Sequence, residues 1–447
     1  MKEKKYAKII EYIYFAALVS FFAVITFVLF YNQAVNGIVY HESGFTIDRF
    51  HSDMYAYMQE MQGLDSGYSF PYPVFFKLSA LINLVATPTV SVALATCILN
   101  TLAVVFSKIV LDRVLFDKEG NVRGLDNKNS TNTDTKKENA QSEDAKNENT
   151  RNGFSINATK LILGIFSSLF IVALFVASML TPPHIYAGTK FRYLGVFSPN
   201  PFQNATYMAA RPFAILSFAL FIKLLGEYEE NAKENIKDYI LFAIVFLIST
   251  MTKPSFTIVL GATAVIVIFA RFFMKKCKTF KASILLGLVF LPTFLDLLYQ
   301  FKGVFVPTGG EEGGVGFCLG KIWLLYTDNM LTSIVFAMAF PLIVLAFNIP
   351  LLWKNAGYRF AWIFFIVSFC ITFFFYEKGR RAVDFNFSWS YMYGLFFSFF
   401  TAIIVMLKDL ADKKRRVFGV IEACTFSLHV ISGLWYFAQI FAGNSYY

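Results

Sequence analysis

The chain has 447 residues, 56% of them hydrophobic and 54 of them phenylalanine, with a mean hydropathy of +0.54. That is more apolar surface than a soluble core of this size needs to bury, so composition excludes an ordinary soluble enzyme and points to an all-α, polytopic transmembrane protein. The formal charge of +10 does not indicate nucleic acid, because the lysines and arginines lie in short clusters between apolar runs, the positive-inside pattern.

The first apolar run, Ile9 to Tyr31, follows the basic start MKEKKYAK. It is too long for a signal peptide's apolar core and no small-residue cleavage pattern follows it, so it reads as a retained anchor. With roughly 20 residues per crossing, further spans fall near 89–112, 158–180, 207–226, 238–252, 255–273, 282–300, 320–347, 359–376, 389–407 and 417–438, eleven in all. This count puts the N-terminus, KKCKTFK (275–281) and KKRR (413–416) on the cytoplasmic side of the cell membrane and the C-terminus outside. Residues 239–273 would measure about 50 Å as one helix, too long for a bilayer. Pro254 breaks the run and leaves Lys253 at an outer turn. Segment 74–86 is too short to cross and carries Lys77, Ser79 and Asn83, so it reads as an interfacial helix.

Three parts follow: 1–112 with the first span, an outer loop and the second span; 113–157, a linker; and 158–447, the remaining bundle with outer substrate-binding loops. The stretch 118–157 is polar, low in complexity and nearly charge-balanced, and is expected to be a disordered cytoplasmic linker. No internal repeat marks duplicated transporter halves.

In the first outer loop, Met54, Met58 and Met61 share one face of an amphipathic helix, with Asp53, Tyr57 and Glu60 on the other. Ser52 is placed to cap this helix, Asp53 to meet its dipole and Gly63 to end it. The following YPYP sets an extended approach to the second interfacial helix. By itself Asp53 is a good capping residue. Its position at the outer leaflet, near Asp48, Asp65, Glu42, His41 and His51, gives it a second reading as a catalytic carboxylate.

Residues 9–112, with Asp53, then YPYPVFFKLSALI, then the span from Thr89, resemble the first quarter of the GT-C superfamily of polytopic glycosyltransferases. In that family a first span leads to an outer loop with an essential aspartate and two interfacial helices, and a second span returns to the cytoplasm. The resemblance implies transfer of a sugar from a polyprenyl-phosphate-linked donor to an extracytoplasmic glycan, lipid or protein acceptor, with Asp53 as the base. Many members carry two adjacent acidic residues, whereas Asp53 stands between Ser52 and Met54, which leaves Asp48 and Asp65 open as the base.

Such a transfer needs a base for the acceptor hydroxyl and cations for the departing phosphate. Cations occur on the outer side, against the positive-inside trend: Lys190, Arg192 and Arg211 in 188–213, Lys253 after the fifth span, and Lys378, Arg380 and Arg381 in YEKGRRAVDFNFSW. Arginine's planar fork suits phosphate oxygens, although such residues also meet lipid headgroups or pair with carboxylates such as Glu377 and Asp384. Lys253, Arg380 and Arg381 are the expected phosphate clamp, and Asn204, Gln203 and Tyr207 are placed to hydrogen-bond a sugar. The glycine-rich 306–317 lies where the family often has a loop that orders over the donor.

Neither the five cysteines nor His41, His51 and His184 have metal-ligand spacing, so no metal ligand is assigned. A divalent cation, used by some GT-C relatives, stays open. Two other functions compete: a polymerase or ligase of cell-surface polysaccharide, and a transporter or flippase of a lipid-linked or anionic solute. Transporters carry charges mid-span and repeats, whereas here the charges crowd at the outer ends, with Asp296 a rare exception near a span's outer end.

Overall fold

A computed structural model describes residues 2–36, 39–41, 44–46, 50, 52–117, 122–123, 161–180, 194–230, 235–304 and 313–444. Helices α1 (Lys2–Val35), α2 (Met54–Met61), α3 (Val74–Asn83), α4 (Pro88–Leu115) and α5 (Leu161–Leu174) come first. They are followed by α6 (Ala205–Glu227), α7 (Ile236–Thr252), α8 (Ser255–Met274), α9 (Phe280–Leu288) and α10 (Leu291–Val304). The last are α11 (Met330–Phe347), α12 (Leu351–Lys354), α13 (Ala356–Phe374), α14 (Ser388–Ala411) and α15 (Arg416–Phe441). Two antiparallel pairs complete the described chain: β1 (Val39–His41) with β2 (Gly44–Thr46), and β3 (Gly314–Phe317) with β4 (Phe375–Lys378).

Among the described residues, eight helices are long and apolar enough to cross a membrane: α1, α4, α6, α8, α11, α13, α14 and α15. The pair α9 and α10 is bent by 49° at its break, the geometry of a broken span or a re-entrant segment, and counts as a ninth only as one span. This is an all-α, multi-pass membrane protein. The remaining two of the eleven expected spans correspond to α5, a shorter apolar helix, and α7, with 17 residues. The break at Pro254 is present: α7 ends at Thr252 and Lys253 is extended, with φ −166° and ψ 128°. The expected linker, 113–157, begins too early: Arg113, Val114 and Leu115 are the last turn of α4, and beyond them only Phe116, Asp117, Val122 and Arg123 lie within the described residues. Val122 and Arg123 fold back on the end of α4 through a Phe116–Val122 bridge and a bond from Arg123 Nε to the Phe116 carbonyl.

Helix α14 is the axis of the bundle and is almost wholly buried. Small residues let its neighbours approach. A Cβ on Gly394 would stand 1.9 Å from Ser368 Oγ of α13. Aromatic contacts then lock the layers: Phe397 stacks on Phe218 of α6 with centroids 4.0 Å apart and meets Phe256 of α8 and Phe364 of α13.

Pro341 lies inside α11 and cannot continue the helical ladder. The turn before it is satisfied from outside: the Phe336 carbonyl accepts from Leu180 N–H at 3.0 Å, and Phe340 N–H donates to His429 Nε2 at 3.1 Å. That bond fixes the proton on His429 Nδ1, which donates to the Ser178 carbonyl at 2.7 Å. The buried histidine is thus a strap joining α11, α15 and the chain after α5.

Candidate active site

The start of α2, the turn before α6, the α7–α8 break and the start of α14 meet at one end of the bundle. Asp53 occupies the N-cap position of α2, but its side chain makes no capping bond; Ser52 Oγ accepts from Met54 N–H at 3.2 Å instead. The carboxylate is held elsewhere. Asn204 Nδ2 donates to Asp53 Oδ2 at 2.6 Å, and Asp53 N–H donates to the Gln203 carbonyl at 3.0 Å. Asn204 is itself oriented by capping α6, its Oδ1 accepting from Tyr207 N–H at 2.8 Å and from Thr206 Oγ1 at 3.0 Å.

Tyr57, one helical turn after Asp53, joins the two. Its hydroxyl is 3.3 Å from Asp53 Oδ2, 3.1 Å from Thr206 Oγ1 and accepts from Asn204 Nδ2 at 2.9 Å. The ring is buried edge-on against Phe70, Phe75 and Phe76. Burial, with the Asp53 charge beside it, pushes the phenol well above its ordinary value, so it stays a hydrogen-bond donor.

Lys253 approaches Thr206 from the other side, Nζ donating to Oγ1 at 3.2 Å. The break before Pro254 turns this lysine inward, and it is only 6% exposed. Its ammonium lies 4.8 Å from the Trp389 ring centroid and 5.7 Å from that of Tyr72. Burial lowers it to about 8, partly opposed by the charge of Asp53. Asp53 and Lys253 therefore share one hydrogen-bonded unit through Tyr57 and Thr206.

Lys253 also lines a cavity of about 490 Å³, whose polar wall includes Arg381, Glu377, Asn386, Trp389 and Tyr72. Arg381 Nε lies 3.4 Å from Glu377 Oε2 and 3.5 Å from Asp384 Oδ2. Asn386 Nδ2 donates to Glu377 Oε2 at 2.7 Å and its Oδ1 accepts from Trp389 Nε1 at 3.3 Å. A second, larger cavity of about 800 Å³ runs between α8 and the bent pair α9–α10 and is lined almost wholly by apolar side chains. Ile258, Ala262 and Leu297 line both, so the two abut.

The expected residues are distributed unevenly. Asp53, Asn204 and Lys253 come together through Tyr57 and Thr206, and Lys253 and Arg381 share the polar cavity, whereas Asp53 and Asn204 line neither cavity. Arg211 is fully buried in α6, away from both cavity linings: it donates to Asn200 Oδ1 at 2.5 Å, to Asn100 Oδ1 at 2.9 Å and to Met208 Sδ, under the Phe175 ring. Asn200 in turn donates to the Leu174 and Ala177 carbonyls. Arg211 is thus a strut bracing the turn that carries Gln203 and Asn204. Lys378 is exposed at the end of β4, paired with Gly314. Asp65 is exposed and closes a turn through Gly67 N–H at 2.8 Å. Asp48, Arg192, His51, His184 and the side chains of Arg380 and His41 lie outside the described residues. Among the described residues no group of three His, Cys, Asp or Glu is arranged to hold a metal ion.

Thr206, Tyr72, Asn386 and Trp389 are site residues that sequence reasoning does not single out. Thr206 carried a signal, standing at the polar start of α6 two residues after its asparagine cap. Comparison with known protein families matches none of them to this chain, and comparison with characterised proteins finds no similar sequence.

Proposed function

We propose that this chain is a membrane glycosyltransferase of GT-C type, moving a sugar from a lipid-phosphate-linked donor to an extracytoplasmic acceptor. The observation that carries the reading is the linkage of three features: a carboxylate freed from helix capping and joined to Lys253 through Tyr57 and Thr206, a cavity lined by Lys253 and Arg381, and an apolar groove that abuts that cavity. The groove suits a polyprenyl chain, and Lys253 and Arg381 suit its phosphate. Asp53 Oδ2 is taken by Asn204 and Tyr57, while Oδ1 has no hydrogen-bond partner among the described residues. Oδ1 is therefore the base. As the acceptor oxygen attacks the anomeric carbon, its proton passes to Asp53, the bond from that carbon to the phosphate oxygen breaks, and the electron pair leaves on the lipid phosphate. One carboxylate without a second nucleophile gives inversion.

In this reading the site end of the bundle faces outward, the N-terminus is cytoplasmic and the C-terminus outside, with α5 and α7 completing eleven crossings of the cell membrane. Helices α2 and α3 lie at the outer interface. Support comes from the end of α3, where Leu84 and Val85 are 78% and 90% exposed, apolar surface suited to lipid. A polysaccharide polymerase or ligase would use the same donor site and differ in acceptor. A transporter is less well supported, because the bundle axis is filled by α14. The test is release of lipid phosphate and sugar transfer in membranes containing wild type or Asp53→Asn at equal levels. Equal activity in the two removes the mechanism.

A further inference from the structure

The cavity contains one group that phosphate binding does not use. Glu377 lies in β4, where pairing with Val315 fixes its backbone, and its side chain is only 11% exposed. Oε2 accepts from Asn386 and faces Arg381, whereas Oε1 has no hydrogen-bond partner among the described residues. A carboxylate that lies against Arg381 and whose charge also acts on Lys253 weakens the hold of both on an anion. Being an acceptor only, it calls for a ligand that brings a hydrogen-bond donor. A phosphodiester has none, but the hydroxyls of a sugar do. Beside it, Asn386 holds the Trp389 indole in the same cavity wall, with the Lys253 ammonium over its ring.

Resting on the reading of this cavity as the donor site, we propose that Glu377 accepts a hydrogen bond from a hydroxyl of the donor sugar. The donor sugar is then uncharged, and a uronate is rejected by charge. Glu377 is a specificity-determining residue in this role.

The test is equilibrium binding of farnesyl phosphate, its glucosyl ester and its glucuronyl ester to the full chain in lipid nanodiscs. Wild type is expected to bind the glucosyl ester at least about tenfold more tightly than the glucuronyl ester, the effect of one close like-charge contact in a partly buried site. In Glu377→Gln the two esters come within about threefold of each other once that contact loses its charge, and farnesyl phosphate is held no more weakly than before. Glu377→Asp, which keeps the charge, continues to reject the glucuronyl ester. Equal binding of both esters by wild type overturns the inference, as does a proportional loss of all three ligands in Glu377→Gln, the behaviour of a mere tether for Arg381. If farnesyl phosphate itself fails to bind wild type, the donor site is misassigned and the inference falls with it.

Discussion

The Asp53 carboxylate lies 2.6 Å from the Asn204 amide and makes no bond to the backbone amides in the first turn of its own helix. An aspartate at an N-cap ordinarily turns inward onto the free amides there. Asp53→Asn tests what the outward turn is for. Asparagine caps a helix as well as aspartate and can still accept from Asn204, so stability should hold. Transfer should fall on the order of a hundredfold to ten-thousandfold, the usual share of general-base catalysis. Lipid phosphate release in membranes, normalised to folded protein, measures it.

Asn204 serves two partners with one side chain, Asp53 through Nδ2 and the start of α6 through Oδ1. Asn204→Ala should therefore lose about 1 kcal/mol of stability from the missing cap and, separately, a large part of activity. Asn204→Ser, which can still cap, should recover the stability and not the rate. Thermal unfolding in detergent and transfer assays separate the two losses.

Lys253 gives a pH dependence of defined sign. Its value is lowered from 10.5 to about 8 on folding, so between those limits the unfolded chain holds more protons at this site than the folded one. The contribution of Lys253 to stability therefore rises with pH across that window. Donor binding runs the other way, because the phosphate loses a cation as pH passes about 8. The donor KM should climb above that pH in wild type, start high in Lys253→Met and stay flat there. Steady-state kinetics from pH 6.5 to 9 on an order-of-magnitude scale of donor concentrations reads this directly.

Much of this arrangement was legible before the structure, and the missing part has a physical reason. Long apolar runs announce their helices because a bilayer demands about 20 such residues, and Pro254 announces the turn that buries Lys253. Depth is not written in a run of that kind. Arg211 therefore grouped with the outer cations, although it lies inside α6 and serves as a brace. The Asp53–Asn204 bond joins positions 151 residues apart, and no local pattern reports such a pairing. Local chemistry reads Ser52 correctly, since its Oγ accepts from Met54 N–H, but reads Asp53 as a capping residue, and its side chain makes no capping bond. Glu377 was visible only as a pairing partner for the arginines, because its second neighbour, Asn386, comes from beyond β4.

The apolar groove offers a test that leaves the polar site untouched. Gly261 of α8 and Gly287 of α9 both line it, and a Cβ added at either meets nothing within 4 Å. Replacing glycine in a helix by a residue of higher propensity also favours folding by a few tenths of a kcal/mol or more. Gly261→Phe should thus be stable while filling space that the proposal gives to the lipid chain. Long polyprenyl donors should lose affinity severalfold or more, with kcat little changed, because the lost contacts are uniform binding rather than transition-state contacts. A farnesyl-length donor, which fills less of the groove, should be less affected. Equal loss for short and long donors would place the lipid elsewhere on the bundle and separate the groove from the chemistry at Asp53.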